Sequence, residues 1–332
     1  PEAYEKTVLM MTHQFQASDV GSEIDQWFAD EIKRATIGEV DIRIFWSNGL
    51  GEPDENLSLL KNGYIDMAAM SAGYFPDQLP LFSAPNSIPM SMVNVCQASN
   101  LMKSLVDTVE AFKKEAEHNG IRPLFFHALN PYLLVTKEPI DNFSQLKGKR
   151  IRTWGEDMPL LVKAAGATPV TLFLPDIYDA MEQGVIDGCP FSVDLVKTFH
   201  LYKFAKHITE VVMWEGPTWG VWIGETVWKK LSKKNRDIFI STAEKARQKD
   251  IPARLKAEKE SREFLKSLGV TFHQFPPEEL TKWKAAAPDF FAAFIRKMKN
   301  RGQEDAATQI VNLWKDIQQN TDCPDPGSNV KE

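Results

Sequence analysis

The chain has 332 residues, 43% of them hydrophobic and 11% aromatic, with a net charge of −6. That length and apolar content predict two domains with sizeable cores. The acidic balance, without any dense Lys/Arg block, argues against nucleic acid as a partner, and no apolar run approaches bilayer-spanning length. Cys96, Cys189 and Cys323 show no C-x-x-C spacing, so neither a metal site nor a redox motif is expected. At most one intrachain disulfide is expected, its partners open. No signal peptide is read ahead of Pro1, as in a trimmed, mature form.

Taken in order, Thr7–Thr12 is a compact apolar run of the length of a buried strand. Ile24, Trp27, Phe28 and Ile32 have helical spacing, ending near Gly38. Val40–Trp46 alternates as a strand does, Glu55–Leu60 reads as a helix and Ile65–Met70 as another buried strand. This strand–helix alternation predicts an α/β half. Residues 74–89 are rich in Pro and Ser without periodicity and read as a loop. Val93–His118 reads as one helix, and Leu124–Phe126 and Tyr132–Thr136 as strands. The chain is expected to cross into a second domain between those two strands, at His127-Ala128-Leu129-Asn130-Pro131.

The stretch 146–188 repeats the alternation: a strand Lys149–Trp154, a helical run Met158–Ala165 stopped by Gly166, a strand Thr168–Leu172, a helix through Ile177, Tyr178 and Met181, and a strand from Val185. If Ile151 faces a core, Arg152 and Trp154 face together the other way. Such sheets bind ligands beyond the carboxyl ends of their strands. Val211–Trp222 is an aromatic strand region where the chain is expected to cross back, and Glu215 within it reads as a solvated carboxylate ahead of a metal-bearing one. Ser232–Leu268 is helical over a length that exceeds one small domain, with a kink or joint at Pro252. The remainder is helical to Gln319, then a tail.

Residues 146–188 carry an L-K-G-K-R-I-R run, then G-A-T-P-V, then Y-x-x-M-x-x-G-V-I-D-G. In order and spacing they resemble the extracytoplasmic solute receptors of TRAP transporters, the DctP family. The likeness continues upstream through Glu55 to Pro89. It implies an α/β, two-domain periplasmic binding protein fold, type II-like, with an inter-domain ligand cleft and a long helix running along both domains. The expected division is 1–124 plus 213–250 for the first domain and 125–212 plus 251–332 for the second.

On this resemblance Arg152 falls on the family's arginine, which pairs with the ligand carboxylate. A planar, permanently charged guanidinium suits that task. Trp154, Phe191, Trp214 and Trp219 sit near the inferred crossing strands and strand ends, and at least two are expected to line the cleft. Gly220 is expected to let a ligand approach. Phe191 stands where sialic-acid and ectoine receptors carry an asparagine, and Tyr132 where sialic-acid receptors carry a second arginine. Both departures predict a more apolar pocket that keeps one carboxylate anchor. Phe15, Tyr74 and Asn130 complete the candidate ligand-binding residues.

No G-x-S-x-G, H-E-x-x-H or Gly-rich phosphate loop is present. With these absent, the resemblance implies a periplasmic, monomeric receptor without cofactor, metal or catalytic residue. It binds a small organic acid and delivers it to TRAP membrane permease subunits. The alternatives are a ligand sensor for a signalling partner and a periplasmic enzyme acting on a small carboxylate.

Overall fold

A computed structural model describes residues 6–323; the tail expected from Pro324 onward lies outside them. The first strand, β1 (Thr7–His13), pairs in parallel with β2 (Val40–Phe45) and β3 (Met67–Met70). Parallel neighbours need a crossover, here the helices Val20–Ala35 and Asn56–Lys61. The first helix starts where the Asp19 carboxylate accepts the Gly21 N–H at 2.9 Å. Its Ile24, Phe28 and Ile32 stripe is buried.

The remaining strands are β4 (Ile121–Ala128), β5 (Tyr132–Thr136), β6 (Arg150–Thr153), β7 (Thr168–Thr171), β8 (Gly188–Phe191), β9 (His207–Trp214), β10 (Pro217–Gly224) and β11 (Thr271–Gln274). They form two mixed sheets, ordered β2-β1-β3-β10-β4 and β11-β9-β5-β8-β6-β7. The chain changes sheet at residues 129–131 and again at Glu215-Gly216. The helix Lys233–Ser267 runs unbroken across Pro252. At 1.5 Å per residue it is about 52 Å long. It packs on Val20–Ala35 and β4 beside the first sheet, and on Val193–Thr198 beside the second.

Several elements differ from the sequence expectation. The single helix 93–118 is two, Val95–Thr108 and Glu110–His118, because Val109 turns extended and buries its side chain. The 74–89 loop contains the helix Pro80–Ser87. Glu115, far along the chain, accepts the N–H groups of Leu81 and Phe82 at that helix start. Val211–Trp222 is two strands in different sheets, and the half-buried edge strand β11 interrupts the C-terminal helices. Val185-Ile186 precedes β8, which starts at Gly188, after Asp187 has bound the Arg150 amide and guanidinium.

The C-terminal helices straddle both sheets. Trp283 donates its Nε1–H to Leu161 O at 2.9 Å, beside the second sheet. Lys297 pairs with Glu156, and Arg301 reaches the Asp77 carboxylate at 3.3 Å. The last helix, Glu304–Asn320, packs on Val95–Thr108, beside the first sheet. Cys96 and Cys323 close a disulfide there, with Cα atoms 5.4 Å apart. Cys189 is a free, buried thiol that burial pushes up to about 12.

A disulfide across 227 residues removes much freedom from the unfolded chain, typically ~2–5 kcal/mol. Denaturant titrations with and without reductant should show a loss of that order. Equal midpoints would mean the bridge does not stabilise the fold.

Candidate functional site

A small cavity lies between the two sheets. Arg152 is the penultimate residue of β6, Tyr132 starts β5 and Trp214 ends β9, all in the second sheet. Trp154 and Leu174 join them, and the first sheet's side contributes Ser71, Tyr74 and Asn86. The space among these side chains is about 20 Å³, the room of about one water molecule. The cleft is therefore shut.

Arg152 is 2% exposed. Its Nε donates to Leu172 O at 3.1 Å, its guanidinium lies 4.5 Å from the Trp154 ring centre, and it faces the Tyr74 hydroxyl. Among the described residues no carboxylate pairs with it. Arg150 is different: exposed, it binds Asp187 at 2.6 Å. Burial pushes the Tyr74 and Tyr132 phenols up despite the nearby guanidinium, so both stay protonated donors.

The rings around Arg152 pack edge to face. Tyr132 lies 5.6 Å from Trp154 and 5.0 Å from Trp214, and Trp154 lies 5.5 Å from Trp214. Trp154 Nε1–H donates across the cleft to Asn86 O at 2.9 Å. Asn86 in turn accepts from the Ser71 hydroxyl and from the Gly73 N–H at 2.7 Å, and donates to Pro217 O.

Phe191, Trp219, Phe15 and Asn130 lie away from the cavity wall. Phe191 packs behind Tyr132 at 5.6 Å. Trp219 stacks on Phe15 at 4.4 Å and on His127 at 4.5 Å. Asn130 donates to Arg254 O at 2.8 Å. The expected opening at Gly220 is filled, since a Cβ there would meet Phe126 at 2.7 Å and Trp222 Nε1 at 2.8 Å. Ser71, Asn86 and Leu174 were not among the sequence candidates. Ser71 directly follows the carboxyl end of β3, where the strand-end rule points.

Beside the cavity lies a buried charged cluster that no sequence motif announced. Both nitrogens of His127 face carboxylates, Asp25 at 2.9 Å and Asp250 at 2.8 Å. Both must therefore carry hydrogen, and the ring is a cation. Burial alone would lower its pKa, but the two carboxylates outweigh that and lift it to about 9. Burial pushes Asp25 up, yet His127 and His13 hold it well below the usual carboxylate range. His13 Nδ1 accepts the Phe15 N–H at 3.0 Å, so its Nε2 donates to Asp25 at 2.8 Å.

Arg254, on the long helix, meets Asp250 at 3.4 Å, Asp19 at 3.4 Å and Asp194 at 3.5 Å. Asp19 belongs to the first sheet's side and Asp194 to the second's. Gly21 is required beneath it: a Cβ there would lie 2.3 Å from Arg254 and 2.5 Å from Trp219. Glu215, expected in solvent, is completely buried on the link between β9 and β10.

His127 fixes a pH dependence. Its folded pKa, about 9, exceeds the unfolded value of about 6.5. Its stabilisation is fully present below pH ~6.5 and is lost as pH rises to ~9, on the order of 3 kcal/mol. Urea unfolding at both pH values should show that loss in the native chain. His127→Gln should be weaker at pH 6.5 and should show a shallower slope, the remainder coming from buried carboxyls such as Glu115 and Glu258, which burial holds at about 7; an unchanged slope would remove His127 from this role.

Comparison with known proteins places the fold and its relatives. Residues 12–297 match the family described as bacterial extracellular solute-binding protein, family 7, DctP. The ectoine-binding periplasmic protein TeaA of Halomonas elongata is 25% identical over 272 residues, covering 79% of this chain and 78% of its own. The sialic acid-binding periplasmic protein SiaP of Vibrio cholerae is 22% identical, covering 80% and 82%. Among solved structures, a marine metagenome TRAP solute binding protein specific for aromatic acid ligands, in complex with metahydroxyphenylacetate, superposes with a TM-score of 0.83. It is 21% identical and covers 95% of this chain and 99% of its own. A TRAP periplasmic solute binding protein from Desulfovibrio salexigens, with bound orotic acid, has a TM-score of 0.83 at 19% identity, covering 94% and 100%. With its two-domain α/β fold and a family match over most of its length, this chain belongs to the DctP family of bacterial extracellular solute-binding proteins.

Proposed function

We propose that the protein is the extracytoplasmic receptor of a TRAP-type transporter, that it closes on a small organic acid, and that it delivers the acid to a membrane permease. The observation that carries this is Arg152: a guanidinium 2% exposed, in a shut cleft, with no carboxylate partner among the described residues. A buried cation without a counter-charge is costly, and a ligand carboxylate supplies that charge. Binding shifts the open–shut balance because the ligand touches both walls only when the cleft shuts. The Cys96–Cys323 bridge suits an oxidising compartment such as the periplasm. Among the described residues no helix is long and apolar enough to cross a membrane.

The preferred ligand is a monocarboxylate with an aromatic or apolar body, ahead of a C4-dicarboxylate. Four rings, Tyr74, Tyr132, Trp154 and Trp214, surround one cation. Ring–ring packing adds ~0.5–1.5 kcal/mol per pair beyond area burial, whereas a second carboxylate needs a second cation. A relative with this fold binds metahydroxyphenylacetate, in keeping with this choice. Trp219, Phe191, Phe15 and Asn130 would then support the site from behind.

Thermal-shift and calorimetric screening of carboxylates tests the ligand class. Phenyl- and indolyl-acids should bind more tightly than succinate or malate, and the reverse order would sink the assignment. Arg152→Ala should weaken binding by ~2–5 kcal/mol, roughly 30-fold to several-thousand-fold, with folding intact by circular dichroism. Arg152→Lys should recover only part, since an ammonium keeps the charge without the fork. Arg150→Ala should be mild, because Arg150 is engaged with Asp187. Near-native affinity in a folded Arg152→Ala protein would remove Arg152 as the anchor.

A further inference from the structure

Glu215 occupies the two-residue link that carries the chain from β9 in one sheet to β10 in the other. It is fully buried, and among the described residues its carboxylate has no side-chain hydrogen-bond partner, only the backbone N–H of Gly216 beside it. The charged groups around it are already committed. Asp194 faces it from the helix Val193–Thr198, and Asp250 and Arg254 from the long helix. Arg254 is the nearest cation, and it already serves Asp19, Asp194 and Asp250. His127 on β4 is spent on Asp25 and Asp250. Glu258 lies one turn beyond Arg254, beside Asp194 and Arg262. An ionised Glu215 would be a fifth carboxylate, beside Asp19, Asp25, Asp194 and Asp250, in a cluster with two cations, Arg254 and His127.

We propose that shutting the cleft loads a proton from solvent onto Glu215, so that ligand capture is coupled to proton uptake. Arg254 ties Asp19 on one side to Asp194 on the other, so shutting draws both walls together over the Glu215 link. Opening parts them and returns Glu215 to water, where it ionises. In the shut state burial raises its pKa, Asp194 and Asp250 add to this, and Arg254 and the Gly216 N–H oppose. The sign follows: above pH ~4.3, the value of an exposed glutamate, each shutting event takes up a proton. Affinity then falls as pH rises, by at most tenfold per unit for one proton.

This rests on the reading of a closing receptor, and the test separates the two. Phenylacetate, orotate and glucuronate are titrated by calorimetry at pH 7 in phosphate and in Tris, whose ionisation heats differ. The native chain should take up close to one proton per bound acid, and its affinity should fall up to ~100-fold from pH 6 to pH 8. Glu215→Gln, isosteric with the neutral acid, should take up almost none and bind with little pH dependence. Glu258 is the rival, because burial beside Asp194 lifts it to about 7; Glu258→Gln should retain the native uptake. Equal uptake in the native chain and Glu215→Gln, or loss of uptake in Glu258→Gln instead, overturns the proposal. If none of the three acids binds, the ligand reading fails, and small-angle scattering of the ligand-free proteins decides. Glu215→Gln should be more compact than the native chain at pH 8, and identical curves overturn the proton coupling.

Discussion

The structure turns on Arg254. One guanidinium, wholly buried, is held by Asp19 from the first sheet's side, Asp194 from the second's, and Asp250 from its own helix. Removing one member of such a group strands a charge in a dry interior, which typically costs 3–5 kcal/mol. The arrangement is therefore all or none. It also sets spacing. Gly21 must lack a side chain for the helix Val20–Ala35 to approach, and Trp219 fills the remaining space above the guanidinium, 5.3 Å from it. The long helix is thus a shared wall on which both sides of the molecule register.

Two buried arginines serve opposite ends. Arg254 has more carboxylates than it needs, and Arg152 has none among the described residues. The first makes a particular arrangement of the two sides specific; the second makes that arrangement hungry for an anion. Between them lies a continuous aromatic path, from Trp154 and Tyr132 through Phe191 and Phe199 to Phe15 and Trp219. Dense ring packing of this kind transmits displacement poorly to solvent and well to neighbours. The anion site and the charged cluster are therefore parts of one interior.

Local signals in the sequence reached much of the fold. Apolar runs and glycine stops gave β1, β2, β5 and β6 nearly to their ends. Arg152 and Trp154 could be placed on one face because alternation in a strand is strict. What escaped depends on partners distant in the chain. The helix Pro80–Ser87 is capped by Glu115, a contact that no local pattern encodes. Ser71 and Asn86 are short polar residues whose roles come only from the opposite wall. His127 appeared in the sequence merely as part of a crossing segment. Its partners, Asp25 and Asp250, lie 102 and 123 residues away. Asp250 and Arg254 are one helical turn apart with Pro252 between them, a spacing that any exposed helical ion pair shares.

The C-terminal strap has a mechanical consequence. Lys297 holds Glu156, two residues after Trp154, while Arg301 holds Asp77, three residues after Tyr74. The strap therefore crosses from one lip of the cleft to the other. Its far end is bolted to the first lip by Cys96 and Cys323. Any parting of the lips must release one of these two exposed pairs, each worth at most about 1 kcal/mol and weakened by salt. The mouth of the cleft thus responds to ionic strength, while the charged interior behind it is shielded from it.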